Sequence, residues 1–200
     1  MTKKGAAVHF NKGAAYEHET YKGLDNEGHN VAEVEFFDTT FDGCNFEKAA
    51  FQECKFEKCR FVDCNLSLTT FKDTSLLDVE FVGCKMLGIN WTEPAKSFFT
   101  VGFTGCILND SLFVGANLRR VKMIDSIANR VDFENADLSD ADCQGTDFAG
   151  ANFANTNLAR ADLRRARNYA IDPNVNILKK TRFSLPEALA LLSYLDIVVD

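Results

Sequence analysis

The sequence predicts an all-β solenoid, a stack of short four-sided coils. Large apolar side chains recur every five residues, beginning with Phe36 and ending with Leu163. This period matches neither an α-helix nor a flat strand. It indicates that one side chain in five points into a core and that the backbone turns a corner in every unit. A longer period of 20 residues, visible in Cys44, Cys64 and Cys84, indicates that four sides make one coil.

A second family of inward positions supports this prediction. Two residues before each large side chain stands a small or β-branched one, as at Cys54, Thr69, Val79 and Ala136. One large and one small inward position per unit is what a narrow, dry interior requires. The other three positions are rich in Asp, Glu, Lys, Asn and Gly, so we expect them to face water.

Length and charge limit the classes of function. The chain has 200 residues, which suits one domain, and its formal net charge of −7 argues against a nucleic-acid binder. It has no apolar run long enough to span a membrane, and residues 5–13 lack the apolar centre of a secretory signal. We therefore expect a cytoplasmic protein with no direct nucleic acid binding and no membrane association.

The predicted chain has three consecutive segments. The first has no clear five-residue period, although Tyr21 and Val31 fall in phase, and forms either an N-terminal tail or a partial first coil. The second is the solenoid itself, and the third caps the solenoid and forms a dimerisation segment. These segments are 1–30, 31–168 and 169–200.

The five-residue period breaks once, between Trp91 and Phe98, which are seven residues apart. We expect the insertion at 92–97 to bulge outward, because its extra backbone cannot join the ladder, and Pro94 removes a donor and stiffens it. The bulge is either an accommodated insertion or a contact that gives a partner specificity, since loops on rigid scaffolds commonly bind. The candidate partner-binding loop is Thr92, Glu93, Pro94, Ala95, Lys96 and Ser97.

Six acidic residues and no Lys or Arg lie between Val131 and Leu158. Their phases place them on all sides of the coil, so they do not supply the convergent oxygens that Ca²⁺ needs. They are either ordinary solvated repeat positions or a negative rod that imitates duplex DNA, which carries one charge per ~1.7 Å. The candidate acidic DNA-mimic surface is Asp132, Glu134, Asp137, Asp140, Asp142 and Asp147.

The C-terminal segment is predicted to cover the open end of the last coil. Ser184 as N-cap, Pro186 in the first turn and Glu187 as capping-box partner predict a short helix. Apolar residues at helical spacing follow, and they exceed what a cap needs, which favours a homodimer contact as well. The candidate dimerisation residues are Leu185, Leu189, Leu192, Leu195 and Ile197.

The sequence predicts no catalytic, metal or cofactor-binding constellation. The three histidines precede the solenoid, and no glycine loop for phosphate is present. Six of the seven cysteines occupy the small inward position and Cys143 occupies the large one. We expect free, buried thiols that act as small hydrophobes, in a binding protein that is not an enzyme.

Units such as 136–140, 151–155 and 161–165 match the pattern A(D/N)LXX, so the chain resembles the pentapeptide repeat family over roughly residues 31–167. The resemblance implies a right-handed quadrilateral β-helix. Within the family, the chain looks like the branch that protects DNA gyrase from poisons. That branch comprises plasmid quinolone-resistance (Qnr) proteins, mycobacterial MfpA, and albicidin- and microcin-immunity proteins. Two segments are most similar to the albicidin-resistance type: 61–88, and 182–188 together with 195–197.

This resemblance implies a homodimer formed through the C-terminal segment. It also implies binding to a type II topoisomerase, DNA gyrase or topoisomerase IV, where DNA would sit. The result would be relief of poisoning, and hence antibiotic resistance or toxin self-immunity, without a cofactor. Two alternatives remain open: a solenoid scaffold that binds another protein partner, and direct sequestration of a toxin.

Overall fold

The computed structural model describes residues 5–95, 97, 99–195 and 197. Each five-residue unit forms one side of a coil, and successive coils pair in parallel at a spacing of 20 residues. Phe36 pairs with Phe56, and Phe41 pairs with Phe61. The predicted β-solenoid is therefore confirmed.

Most strands are three residues long because the backbone turns after each side. Two longer strands, β9 and β10, run through a corner; β9 pairs with both β7 and β8. Past β11 the ladder continues as isolated parallel bridges, such as Asp162 with Arg182. The strands are β1 Ala15–Glu17, β2 Thr20–Lys22, β3 Asn30–Ala32, β4 Glu35–Phe37, β5 Thr40–Asp42, β6 Ala50–Gln52, β7 Lys55–Glu57, β8 Arg60–Val62, β9 Ser75–Val82, β10 Phe99–Thr104 and β11 Lys122–Ile124.

The core is a column of stacked aromatic rings. Between coils the rings stack nearly parallel, as for Phe41 and Phe61, whose centroids are 4.7 Å apart at an interplanar angle of 14°. Within a coil they meet edge to face, as Phe41 meets Phe46 at 83°. Both arrangements suit the ring quadrupole. Burying each large side chain contributes about 1.5–3 kcal/mol, so the period itself stabilises the fold.

Outside the insertion, each corner places one residue in the left-handed region, two positions after the large inward residue. Asp38 has φ 46°, Gly43 has φ 61° and Lys48 has φ 56°. Glycine, Asn and Asp accept this conformation most readily. The outward positions of the repeat are therefore selected partly by backbone geometry.

The small inward position is a hydrogen-bonding position. Cys64 donates its thiol to the carbonyl of Phe41, at 3.3 Å, as the hydroxyl of Thr69 donates to Phe46 O at 2.8 Å. All seven cysteines are free and buried, as predicted. The prediction that they act as small hydrophobes was incomplete. The six cysteines at the small inward position also donate their thiols to backbone carbonyls, as Ser and Thr do in other coils.

The ladder extends beyond 31–168 at both ends. Strand β1 pairs with β4, and β2 pairs with β5, so a coil precedes residue 31. Phe10 covers this end and packs edge to face on Tyr16, Tyr21 and Phe36. Residues 1–4 of the predicted N-terminal segment lie outside the described residues.

A 3-10 helix, Glu187–Tyr194, follows the last coil. Leu191 packs against the core, although no helix residue is fully buried. The predicted capping box was wrong: no side chain caps the helix, because Ser184 Oγ accepts a hydrogen bond from the Arg165 N–H at 3.2 Å. Within the described part of the chain, no helix has the length and apolar character that crossing a membrane requires.

Candidate partner-binding surfaces

The insertion at 92–97 is fastened to the preceding coil. The Asp73 N–H donates to Glu93 O at 3.1 Å, and the Ala95 N–H donates to Thr74 O at 3.0 Å. The expectation that the extra backbone cannot join the ladder was therefore wrong for these two residues. Pro94 is buried beneath the loop, and Lys96 lies outside the described residues.

The side chain of Asn90 holds the start of this loop. Its Oδ1 accepts from the backbone N–H of Thr92 at 3.1 Å and from the Thr92 hydroxyl at 2.7 Å. Its Nδ2 donates to Glu93 Oε1 at 3.3 Å. Thr92 and Ser97 remain exposed, and Glu93 is half-buried. Among the described residues of the loop, Thr92 and Ser97 are therefore the ones whose side chains are most accessible to a partner.

Most residues of the acidic surface accept a hydrogen bond from the backbone of their own corner. Asp132 Oδ1 accepts from the Glu134 N–H at 2.9 Å, and Asp137 Oδ1 accepts from the Ser139 N–H at 2.9 Å. Asp142 makes the same bond to the Gln144 N–H at 3.2 Å. A side-chain oxygen that accepts from the backbone two residues on is an Asx turn. This bond explains why Asp or Asn precedes the large inward residue so often.

Two members of the acidic surface are paired with arginines of the next coil. Asp140 accepts two bonds from Arg160, at 2.6 and 2.7 Å. This hydrogen bonding lowers the pKa of the Asp140 carboxyl. Asp147 accepts from Arg167 at 3.1 Å and from Asn168 at 2.9 Å. These partners stand 20 or 21 residues away, so opposite charges at the coil period were the sequence signal that could have revealed the pairs.

The remaining four acids have no arginine or lysine partner within 4.0 Å among the described residues. Asp132, Asp137 and Asp142 accept only from neutral donors, and Glu134 has no cation within 4.0 Å among the described residues. They lie on three sides of the rod, as their phases predict, and are not gathered into one patch.

The C-terminal end carries an exposed apolar surface. Leu185 is 75% exposed and Leu189 is 55% exposed, while Leu192 is half-buried. Leu195 and Ile197 are also exposed. The neighbouring corner adds Val175 and Ile177, both at least half exposed, which the periodicity could have flagged as apolar residues at outward positions. Exposed apolar surface of this kind commonly marks an interaction site.

The parallel four-sided ladder and its stacked interior define the class of β-helix solenoids. The chain belongs to the pentapeptide repeat family: the model described as pentapeptide repeat region matches residues 34–94 and 96–168. Its architecture is the right-handed quadrilateral β-helix of this family.

Solved structures with the same fold include two trypsin-treated variants of QnrB1, a plasmid-mediated fluoroquinolone resistance protein. One is 19% identical, covers 93% of this chain and 97% of its own, and has a TM-score of 0.63. The other is 22% identical, covers 94% and 91%, and has a TM-score of 0.50. At these identities the likeness establishes the fold alone. A search of curated proteins gave no match.

Proposed function

We propose that this protein binds a type II topoisomerase in the cytoplasm, along the path that DNA would take, and protects the enzyme from poisons. The observation that carries the proposal is the likeness to QnrB1 over nearly the whole of both chains. The function stated for QnrB1 is fluoroquinolone resistance. A rod that binds through its surface needs no catalytic group.

The charge of the rod supports the proposal. The formal net charge is −7, and four acids of the DNA-mimic surface have no cationic partner among the described residues. A protein that binds DNA through a basic channel attracts such a rod electrostatically. The carboxylates on Asp132, Asp137 and Asp142 are held by their own corners, so their charges are displayed in fixed positions.

The exposed C-terminal surface supports the second part of the proposal, a homodimer. Leu185 and Leu189 lie at the end of the rod, where two copies would meet end to end. A dimer would double the length of the charged rod and give the topoisomerase, itself a two-fold symmetric assembly, a symmetric partner. Gyrase and topoisomerase IV both fit this description.

A binding experiment with gyrase tests the charge argument. The triple variant Asp132→Asn, Asp137→Asn, Asp142→Asn removes three charges and retains the Asx acceptors, so the fold is unchanged. We expect gyrase affinity to fall about tenfold at low salt and to become less sensitive to salt. Thermal unfolding should coincide with that of the wild type.

The matched control neutralises three acids in the N-terminal half of the rod that likewise have no cation within 4.0 Å among the described residues. The variant Asp63→Asn, Asp73→Asn, Asp78→Asn changes the net charge equally, at corners whose positive φ Asn accepts. Binding that falls equally in both variants would mean that only net charge matters and would contradict the assignment of this surface. Binding unchanged in the first variant would contradict it as well.

A further inference from the structure

The insertion opens a cleft on one side of the rod. Beyond the insertion, the pairing of β10 with the next coil begins only at Gly102, opposite Lys122. The preceding residues, Phe99 to Val101, face residues 117–121 across a cavity of about 370 Å³. One coil further along, the same side is paired in the regular way, because Asn117 forms a parallel bridge with Asp137. The two extra residues therefore separate the coils locally.

A smaller, mostly apolar cavity of about 100 Å³ adjoins this cleft and shares Phe99 and Asn117 with it. Trp91, Pro94 and Val114 form its other walls. Its volume exceeds what one water molecule occupies. Phe99 is only partly buried, so an apolar surface is accessible from the cleft.

Trp91, which lines this cavity, carries an unused hydrogen-bond donor on its indole. Trp91 is 2% exposed, and its Nε1 has no partner among the described residues. Buried indole N–H groups are normally paired. The described part of the chain therefore supplies no acceptor for this donor.

The mouth of the cleft is positively charged. Arg119 and Arg120 line it, and Arg120 has no carboxylate within 4.0 Å among the described residues. Arg119 lies 4.0 Å from Asp140, whose two strong bonds go to Arg160. Guanidinium groups match carboxylate geometry closely.

Acidic groups also stand on this side of the rod. A neighbouring cavity of about 360 Å³ extends from Arg120 to Lys122 and is bounded by Asp78 and Glu80. Glu93 stands between the lining residues Thr92 and Pro94; its Oε1 accepts from Asn90, and its Oε2 is buried without a partner among the described residues. The cations that line the larger cleft are Arg119 and Arg120.

We propose that the cleft binds a small aromatic carboxylate. The ring enters between Trp91, Phe99 and Val114, and the acid group meets Arg119 and Arg120. The cleft volume of about 370 Å³ lies in the range of small-molecule pockets, roughly 300–1,000 Å³. This site is independent of topoisomerase binding.

The single tryptophan of the chain provides a direct test. In an ¹⁵N spectrum of the full chain, the indole N–H of Trp91 gives one resonance. We expect titration with 2-naphthoate to move this resonance saturably, with half-saturation below about 1 mM. The neutral analogue 2-naphthalenemethanol should bind at least about fivefold more weakly, because it lacks the charge that the arginines recognise.

Variants separate this site from general binding to apolar surface. Arg119→Glu with Arg120→Glu should raise the Kd for 2-naphthoate about tenfold or more. Arg165→Glu, at an exposed corner with nearly the same φ (61° against 60° for Arg120), should leave the Kd unchanged. No movement of the indole resonance, or equal Kd values in the double variant and the wild type, would overturn the proposal.

Discussion

Cysteine serves in this core as a hydrogen-bond donor at positions where other coils use serine or threonine. Cys64 donates to Phe41 O and to Val62 O, each at 3.3 Å, and accepts from the Cys44 N–H at 3.3 Å. Cys143 occupies the large inward position and has no such bond among the described residues. Burial raises the pKa of its thiol to about 12. At the small inward position the cysteine thiol therefore donates a hydrogen bond, whereas at the large inward position it only fills buried space.

Substitution of Cys64 tests this distinction at the scale of one residue. We expect Cys64→Ser to be less destabilising than Cys64→Ala by about 0.5–1.5 kcal/mol, because the hydroxyl keeps the bond to the carbonyl. Chemical denaturation measures the difference. An order in which Ala is better than Ser at this position would contradict the assigned role.

Cys143 is the matched control. There the serine hydroxyl would be buried without a partner, at a cost of about 1–3 kcal/mol, so Cys143→Ser should be worse than Cys143→Ala. The opposite preferences at two buried cysteines distinguish hydrogen bonding from simple packing.

Tyr169, at the C-terminal end of the core, makes stability depend on pH. Burial raises the pKa of its phenol from 10.0 to about 12. A raised folded-state pKa contributes stability below pH 10, and this contribution is lost as pH rises from about 10 toward 12.

The hydroxyl of Tyr169 has no hydrogen-bond partner among the described residues. Tyr169→Phe should therefore change the free energy of unfolding little at neutral pH. Between neutral and alkaline pH, the variant should lose less stability than the wild type. Urea denaturation of both proteins at neutral and at alkaline pH measures this difference. Equal alkaline losses in the two proteins would refute this.

At the scale of the repeat unit, the Asx turn connects the sequence pattern to the corner. The residue before the large inward side chain accepts from the backbone two positions on, whether it is Asp132 or Asn152. The same pattern that defines the family is thus explained by corner geometry. An Asp at these positions can be explained by the Asx turn alone, without any role for its charge. Because Asn makes the same turn, the triple Asn variant removes the charge and keeps the fold.

The insertion is the element most dependent on one side chain, Asn90. Asn90→Ala removes the corner bond and both other contacts to the loop, so we expect a loss of about 1–2 kcal/mol and faster amide exchange at Thr92. Asn152→Ala, at the equivalent position of a regular coil, should cost stability without a matching increase in exchange at the insertion. Unchanged exchange in Asn90→Ala would show that the backbone bonds of Glu93 and Ala95 suffice.

At the scale of the whole molecule, the sequence predicts the architecture better than the details of its ends. The five- and 20-residue periods determine which side chains face inward, so the ladder and the aromatic column follow from them. The capping box failed because Ser184 is bonded to Arg165, a contact that depends on how the segment returns over the last coil. The fastening of Glu93 and Ala95 to the preceding coil likewise depends on stacking that local pattern does not encode.

Association into a homodimer is also predicted at the scale of the whole molecule. Leu185→Arg with Leu189→Arg places two charges on the exposed apolar end, and we expect sedimentation equilibrium to show a monomer that remains folded. Leu68→Arg is the control, since Leu68 is 50% exposed at a corner in the middle of the rod. A wild-type protein that sediments as a monomer would contradict the proposed dimer.

Protection of gyrase supercoiling tests the central claim most directly. Relaxed plasmid, gyrase and a poison, a fluoroquinolone or albicidin, would be titrated with the wild-type protein and with the triple Asn variant. We predict that the wild type restores supercoiling at low protein concentration and that the variant needs about tenfold more. No restoration with either poison, and no inhibition of gyrase at high protein concentration, would contradict topoisomerase binding and favour a scaffold for another partner.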